Sequence, residues 1–149
     1  MVSSLFPNRV VIAPGAITSA EEYSEEHNRH WCKPEQLAVA WEMAFGLATT
    51  LYDLVFVENS NRLEDAFGES SSSFELAMSE GKQTKKDAKL MALRKLVHDG
   101  EEFDISPHLK YGNRKPKLLR LYFAICRDRR CLVVGHFGEH LDNYSTRKQ

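Results

Sequence analysis

Three observations predict a single small α+β domain. The balance of 42% hydrophobic and 28% charged residues over 149 positions suits a single core. Apolar residues recur at helical spacing in two stretches, Leu37 to Ala48 and Ala88 to Val97. Near the C-terminus, strict alternation on either side of a short polar turn marks a β-hairpin.

In chain order, Val10-Val11-Ile12 reads as a short strand and Pro14-Gly15 as a turn. Thr18 and Ser19, with Glu21 and Glu22 three residues on, form capping pairs that open an acidic helix running to about His30. Pro34 suits a first helical position, and Leu37, Trp41, Ala44, Phe45 and Ala48 give the second helix one apolar face. Residues 51–57, rich in β-branched and aromatic side chains, read as a buried strand. The serines at 70–73 suit the cap of a short helix over 74–78 that Gly81 ends. Thr84 and Asp87 open a third long helix that stops at Gly100. Residues 101–116, punctuated by Pro107, Gly112 and Pro116, read as connecting loop. The hairpin follows, from Lys117 to Cys126 and from Cys131 to about Phe137, joined by Arg127-Asp128-Arg129-Arg130.

Within that hairpin Leu119, Leu121, Phe123 and Ile125 share a core face. The opposite face places Arg120 beside Tyr122, the cation and aromatic ring that phosphate contact and base stacking require. Setting Cys126 opposite Cys131 puts Tyr122 opposite Gly135 and turns His136 toward the leucines; a bulge near Gly135-His136 would re-aim it. Whether those two cysteines pair is left open by the sequence.

The net charge of −1 hides an asymmetry. Residues 1–81 carry four Lys/Arg and thirteen Asp/Glu, whereas residues 82–149 carry sixteen and eight. A basic half attracts phosphates and binds them with salt-dependent affinity. Lys110, Arg114, Lys115, Lys117, Arg127, Arg129 and Arg130, with Tyr122, are the candidate RNA contacts. Three cysteines do not form a disulfide framework, and the first residues lack the basic start and apolar stretch of a signal peptide. With no run of about 18 apolar residues, the expectation is a cytoplasmic protein without a membrane span.

The order of Leu93-Arg94-Lys95-Leu96-Val97-His98-Asp99-Gly100, Pro107-His108-Leu109-Lys110, Leu118-Leu119-Arg120-Leu121-Tyr122-Phe123 and Leu132-Val133-Val134-Gly135-His136 resembles the RelE/ParE superfamily of toxins from bacterial toxin–antitoxin modules, especially its RelE and HigB branches. The resemblance covers about residues 51–148. It implies a compact α+β fold with helices packed on a twisted antiparallel sheet, a RelE-like domain over residues 51–149; the acidic helical extension over residues 1–50, packed on that domain, departs from the family's minimal form. The resemblance also implies metal-independent cleavage of mRNA on the ribosome by attack of a ribose 2′-OH on the adjacent phosphate, and neutralisation by a cognate antitoxin. Arg120 falls where the family keeps a strand arginine for the phosphate. His136, His140, Tyr144 and Arg147 fall in the segment that supplies an acid/base and a second cation. Imidazole suits proton transfer because it titrates near neutrality. No cofactor or metal is implied, and oligomeric state is left open.

Two zinc readings lack support in the spacing. His136-x3-His140 lies among glycines that disfavour a shared helical face, and His27, His30 and Cys32 lack a fourth ligand at finger-like spacing. Two other function classes stay open: a ParE-like gyrase-inhibiting or non-catalytic binding module, and an interaction protein whose acidic helices at 18–48 dock a partner.

Overall fold

A computed structural model of the chain describes residues 5–27, 33–70, 73–113 and 118–147, with the side chain of Arg147 excepted. Arg114, Lys115 and Lys117 lie outside the described residues. The fold is α+β, and its main sheet is mixed rather than antiparallel throughout.

Strand β1 (Val10–Ile12) leads into helix α1 (Pro14–Glu26), whose first residue is the proline itself. The expected turn at Pro14-Gly15 is therefore helical, because proline's fixed φ and missing N–H suit a first turn. Ser19 lies inside α1, where its hydroxyl donates to the Ala16 carbonyl and accepts from the Phe137 N–H.

Helix α2 runs unbroken from Pro34 to Val57, passing from α-helix into wider turns over Leu47–Leu51 and Asp53–Val57. The strand expected over 51–57 is thus helix. Leu51, Leu54, Val55 and Phe56 are buried and Val57 is exposed, and an apolar run of seven residues is too short for its pattern alone to separate the two states. This helix is long and apolar enough to cross a bilayer, yet Met43, Leu47, Ala48 and Leu51 join the core beneath it.

Helix α3 (Leu63–Ser70) precedes β2 (Glu75–Ala77), so the helix expected at 74–78 is a strand. The long helix expected from Thr84 breaks into α4 (Lys82–Lys85) and α5 (Ala88–Ala92) before β3 (Lys95–His98). Asp87 still caps, its carboxylate accepting from the N–H groups of Lys89 and Leu90. Asp99 and Gly100, both at positive φ, turn β3 back into β4 (Glu101–Asp104) as a two-residue hairpin rather than ending a helix. The expected 101–116 loop contains β4 and β5 (His108–Tyr111).

The predicted hairpin forms as β6 (Leu119–Cys126) and β7 (Cys131–Gly138), with Cys126 opposite Cys131. A short helix, α6 (Tyr144–Arg147), follows. The main sheet has the order β1-β7-β6-β5-β2; β1 is parallel to β7 and the other pairs are antiparallel. One face, with Leu109, Leu119, Leu121, Phe123, Leu132 and Val134, packs under α1, α2 and α3. The other, with Tyr122, Ala124, Cys126, Cys131 and Val133, packs against Phe103, Ile105, Leu96 and Leu141. The acidic first third therefore supplies an edge strand and two covering helices to the common core, and α2 crosses the expected boundary at residue 50 without a break.

Candidate functional site

The site grows from the register of the sheet. Residues two apart on a strand share a face, so strand pairing sorts side chains into rungs about 7 Å apart. One rung aligns Glu75, Lys110, Arg120 and Gly138 across β2, β5, β6 and β7. The next aligns Ala77, His108, Tyr122 and His136. Two cations thus stand beside two imidazoles and a phenol on one sheet face.

His136 reaches that face through a bulge. Tyr122 pairs with His136 and Phe123 with Val134, which leaves Gly135 as the extra residue. Only glycine fits there: a Cβ at 135 would lie 2.8 Å and 2.9 Å from two Ile105 carbons and 3.2 Å from Leu96. The unbulged register, in which His136 faces the leucines, is accordingly not the one adopted. In the next rung Gly138 lets α1 approach, since a Cβ would meet Tyr23 Cβ at 3.1 Å.

The second rung is an aromatic stack. His108 lies on Tyr122 with ring centroids 4.6 Å apart, and His136 meets the far side of Tyr122 edge-on at 5.6 Å. His108 Nδ1 bonds the Ser106 carbonyl at 2.8 Å, and His136 Nε2 bonds the Glu139 carbonyl at 2.7 Å. Burial holds both imidazoles below their ordinary range, which keeps them neutral and able to accept a proton near pH 7. Burial pushes the Tyr122 phenol up to about 12, so it stays protonated, and its oxygen accepts from the Leu141 N–H.

A buried ion pair roofs this stack. Arg94 Nε donates to Glu80 at 2.8 Å, with the two side chains only 1% and 8% exposed. The same guanidinium donates to the carbonyls of Leu90, Leu141 and Asp142, tying the chain after β7 to the turn after α5. Thr84 adds a second tie by accepting from the Tyr144 N–H. Glu80, Arg94 and His108 carry no period-2 or capping signal that marks them as site residues.

Arg120 and Tyr122, expected to lie open on a surface, are only 9% and 2% exposed. Arg120 Nη1 donates to the carbonyls of Tyr111, Gly112 and Leu119, and burial lowers its pKa. Its guanidinium reaches a polar recess of about 320 Å³ shared with Glu75, Lys110 and Asn113. There Lys110 pairs with Glu75 at 2.7 Å and holds that carboxyl below the usual range. Tyr122 has no free ring face for a nucleobase; it supports the two imidazoles instead.

The remaining candidates divide. His140 is half-buried past the end of β7, with Nδ1 3.4 Å from the Leu141 carbonyl, and Tyr144 is exposed at the start of α6. His140 follows β7 directly, whereas Tyr144 lies against α4 and α5, where its N–H meets Thr84 and it lines a recess with Lys86 and Lys89. Arg127, Arg129 and Arg130 sit in the β6–β7 turn, seven residues beyond Arg120 and about 24 Å away along an extended strand. Arg129 pairs there with Glu101 at 2.9 Å, and Arg130 donates to the Phe56 carbonyl. Among the described residues the candidate RNA-contacting cations thus fall into two groups, Lys110 with Arg120 and the three arginines of the β6–β7 turn.

Comparison with models of known families, with curated proteins and with solved structures found no match to this chain.

Proposed function

We propose that the protein is a toxin of a type II toxin–antitoxin pair, acting in the cytoplasm as a ribosome-dependent, metal-independent mRNA endonuclease of RelE/HigB type. The observation that carries this reading is the pair of neighbouring rungs, Lys110–Arg120 beside His108–Tyr122–His136, on one sheet face. Cleavage through a ribose 2′-OH needs a base for that hydroxyl, cationic support for the extra charge on phosphorus, and an acid for the departing 5′-oxygen. Neutral His136 suits the base, and Arg120 with Lys110 at the recess suits the phosphate. His140 or Tyr144, on the segment that leaves β7, suits the acid. The 2′-oxygen bonds to phosphorus as the P–O5′ bond breaks, giving a 2′,3′-cyclic phosphate and a free 5′-hydroxyl. Removing a general base or acid of this kind costs about 10²- to 10⁴-fold in rate.

A second reading, a non-catalytic or gyrase-inhibiting binding module, is favoured by the three carbonyls that already occupy Arg120 Nη1. Induced expression in a bacterial host separates the two. The endonuclease reading predicts growth arrest with cleaved, ribosome-associated transcripts, relieved by Arg120→Ala, His136→Ala or His140→Ala. Arrest with intact transcripts and broken DNA would establish the gyrase reading instead, and a cognate antitoxin supplied in trans is expected to restore growth.

A further inference from the structure

We propose a divalent transition-metal site, of the Zn²⁺ class, formed by Glu26, His27 and Glu139 where the C-terminus of α1 meets the chain leaving β7. Each residue offers one ligand atom, and these atoms lie within 4.8 Å of one another. The meeting is enforced from elsewhere. Ser19 bonds both the N–H and the carbonyl of Phe137, locking the position of α1 along β7, and Gly138 lets Tyr23 approach. Eight residues after Ser19, His27 accordingly arrives beside Glu139.

The imidazole supplies the independent sign of a ligand. His27 stacks edge-on against Tyr23 at 4.6 Å, and its side chain is 12% exposed. Its Nε2 is shut off from water and has no hydrogen-bond partner among the described residues; the nearest carboxylate oxygen, on Glu26, is 3.7 Å away. A buried nitrogen without a partner costs about 1–3 kcal/mol, so a site that retains one calls for a group to satisfy it. One imidazole and two carboxylates, with a position left for water, form a donor set that zinc accepts, and the nitrogen disfavours calcium or magnesium. Ligand atoms around zinc stand about 3.5 Å apart, so a shift of about 1 Å in the two glutamate side chains would close the site.

The metal takes no part in the proposed chemistry and acts as a staple. Glu139 also offers the carbonyl that orients His136, so a metal on its carboxylate would fix the exit from β7. The inference is independent of the toxin reading, because its test measures binding and not cleavage.

The full chain, stripped with chelator, would be titrated with Zn²⁺ against a chromophoric competitor, and Co²⁺ binding followed by visible absorption. The expected result is one ion per chain, with affinity falling roughly 100-fold in His27→Gln and in Glu139→Gln and unchanged in His98→Gln. The melting temperature of the wild type should rise with Zn²⁺, while that of Glu139→Gln, checked to be folded by circular dichroism, should not. Absence of stoichiometric binding by the wild type would overturn the proposal, as would undiminished affinity in folded Glu139→Gln.

Discussion

Replacing Arg94 with methionine removes a buried guanidinium while filling similar space, and it strands the Glu80 carboxylate in a site only 8% exposed. Three backbone carbonyls, of Leu90, Leu141 and Asp142, lose their donor at the same time. Breaking a buried ion pair from one side costs about 3–5 kcal/mol, because the surviving charge has neither water nor partner. For a chain of this size each kcal/mol moves the melting temperature by about 2–4 °C, so a fall of about 10 °C is expected. Glu80→Gln with Arg94→Met removes both charges and should recover part of that loss, giving a coupling of about 1–3 kcal/mol in a double-mutant cycle. Urea unfolding of the four proteins measures the cycle. Amide exchange adds a local readout, since the Leu141 N–H that bonds Tyr122 should exchange faster once the C-terminal segment is released. A loss below about 1 kcal/mol for Arg94→Met, or strict additivity in the cycle, would refute the role assigned to this pair.

Three further outcomes follow from the same geometry. Gly135→Ala should cost about 1–3 kcal/mol, because its methyl collides with Ile105, and NMR should show the His136 ring displaced from Tyr122; a neutral substitution would mean the bulge does not depend on glycine. His108 and His136 have folded-state pKa values depressed by burial, so the unfolded chain binds more protons below about pH 6.5. Stability should be complete above that pH and decline as pH falls toward the depressed values, with a flatter profile in His108→Gln/His136→Gln. Cys126 and Cys131 are buried free thiols, with Cys131 pushed up by burial and by its neighbour, so iodoacetamide should label both slowly in the folded protein and rapidly in urea; equal rates would contradict their burial.

The parts of this fold that were readable from the sequence are those where one periodicity had no competitor. The β6–β7 hairpin alternates cleanly, and Cys126 opposite Cys131 sets its register as far as Phe123. Beyond that point the register depends on Gly135 meeting Ile105, a contact between residues thirty apart that local pattern does not reveal. Residues 51–57 form an apolar run broken only by Asp53, and a run of seven is too short for its pattern to separate strand from helix, although Val57 and Asp53 face outward in the fold. Asp99-Gly100 satisfies both a helix stop and a two-residue hairpin turn, and the pairing of Leu96 with Phe103 decides between them. At the site, Arg120 and His136 were visible as residue types on a strand. Glu80, Arg94 and His108 were not, because only the tertiary fold brings residues 80, 94, 108, 122 and 136 together.

The proposed endonuclease sets Arg120 and His136, on adjacent rungs of one sheet face, against mRNA on the ribosome. Mapping the 5′ ends of ribosome-associated transcripts after brief induction tests it most directly. New 5′-hydroxyl ends within coding regions are expected for the wild type and at least about 100-fold fewer for folded Arg120→Ala and His136→Ala. Unchanged transcripts in cells containing folded wild-type protein would contradict the endonuclease reading.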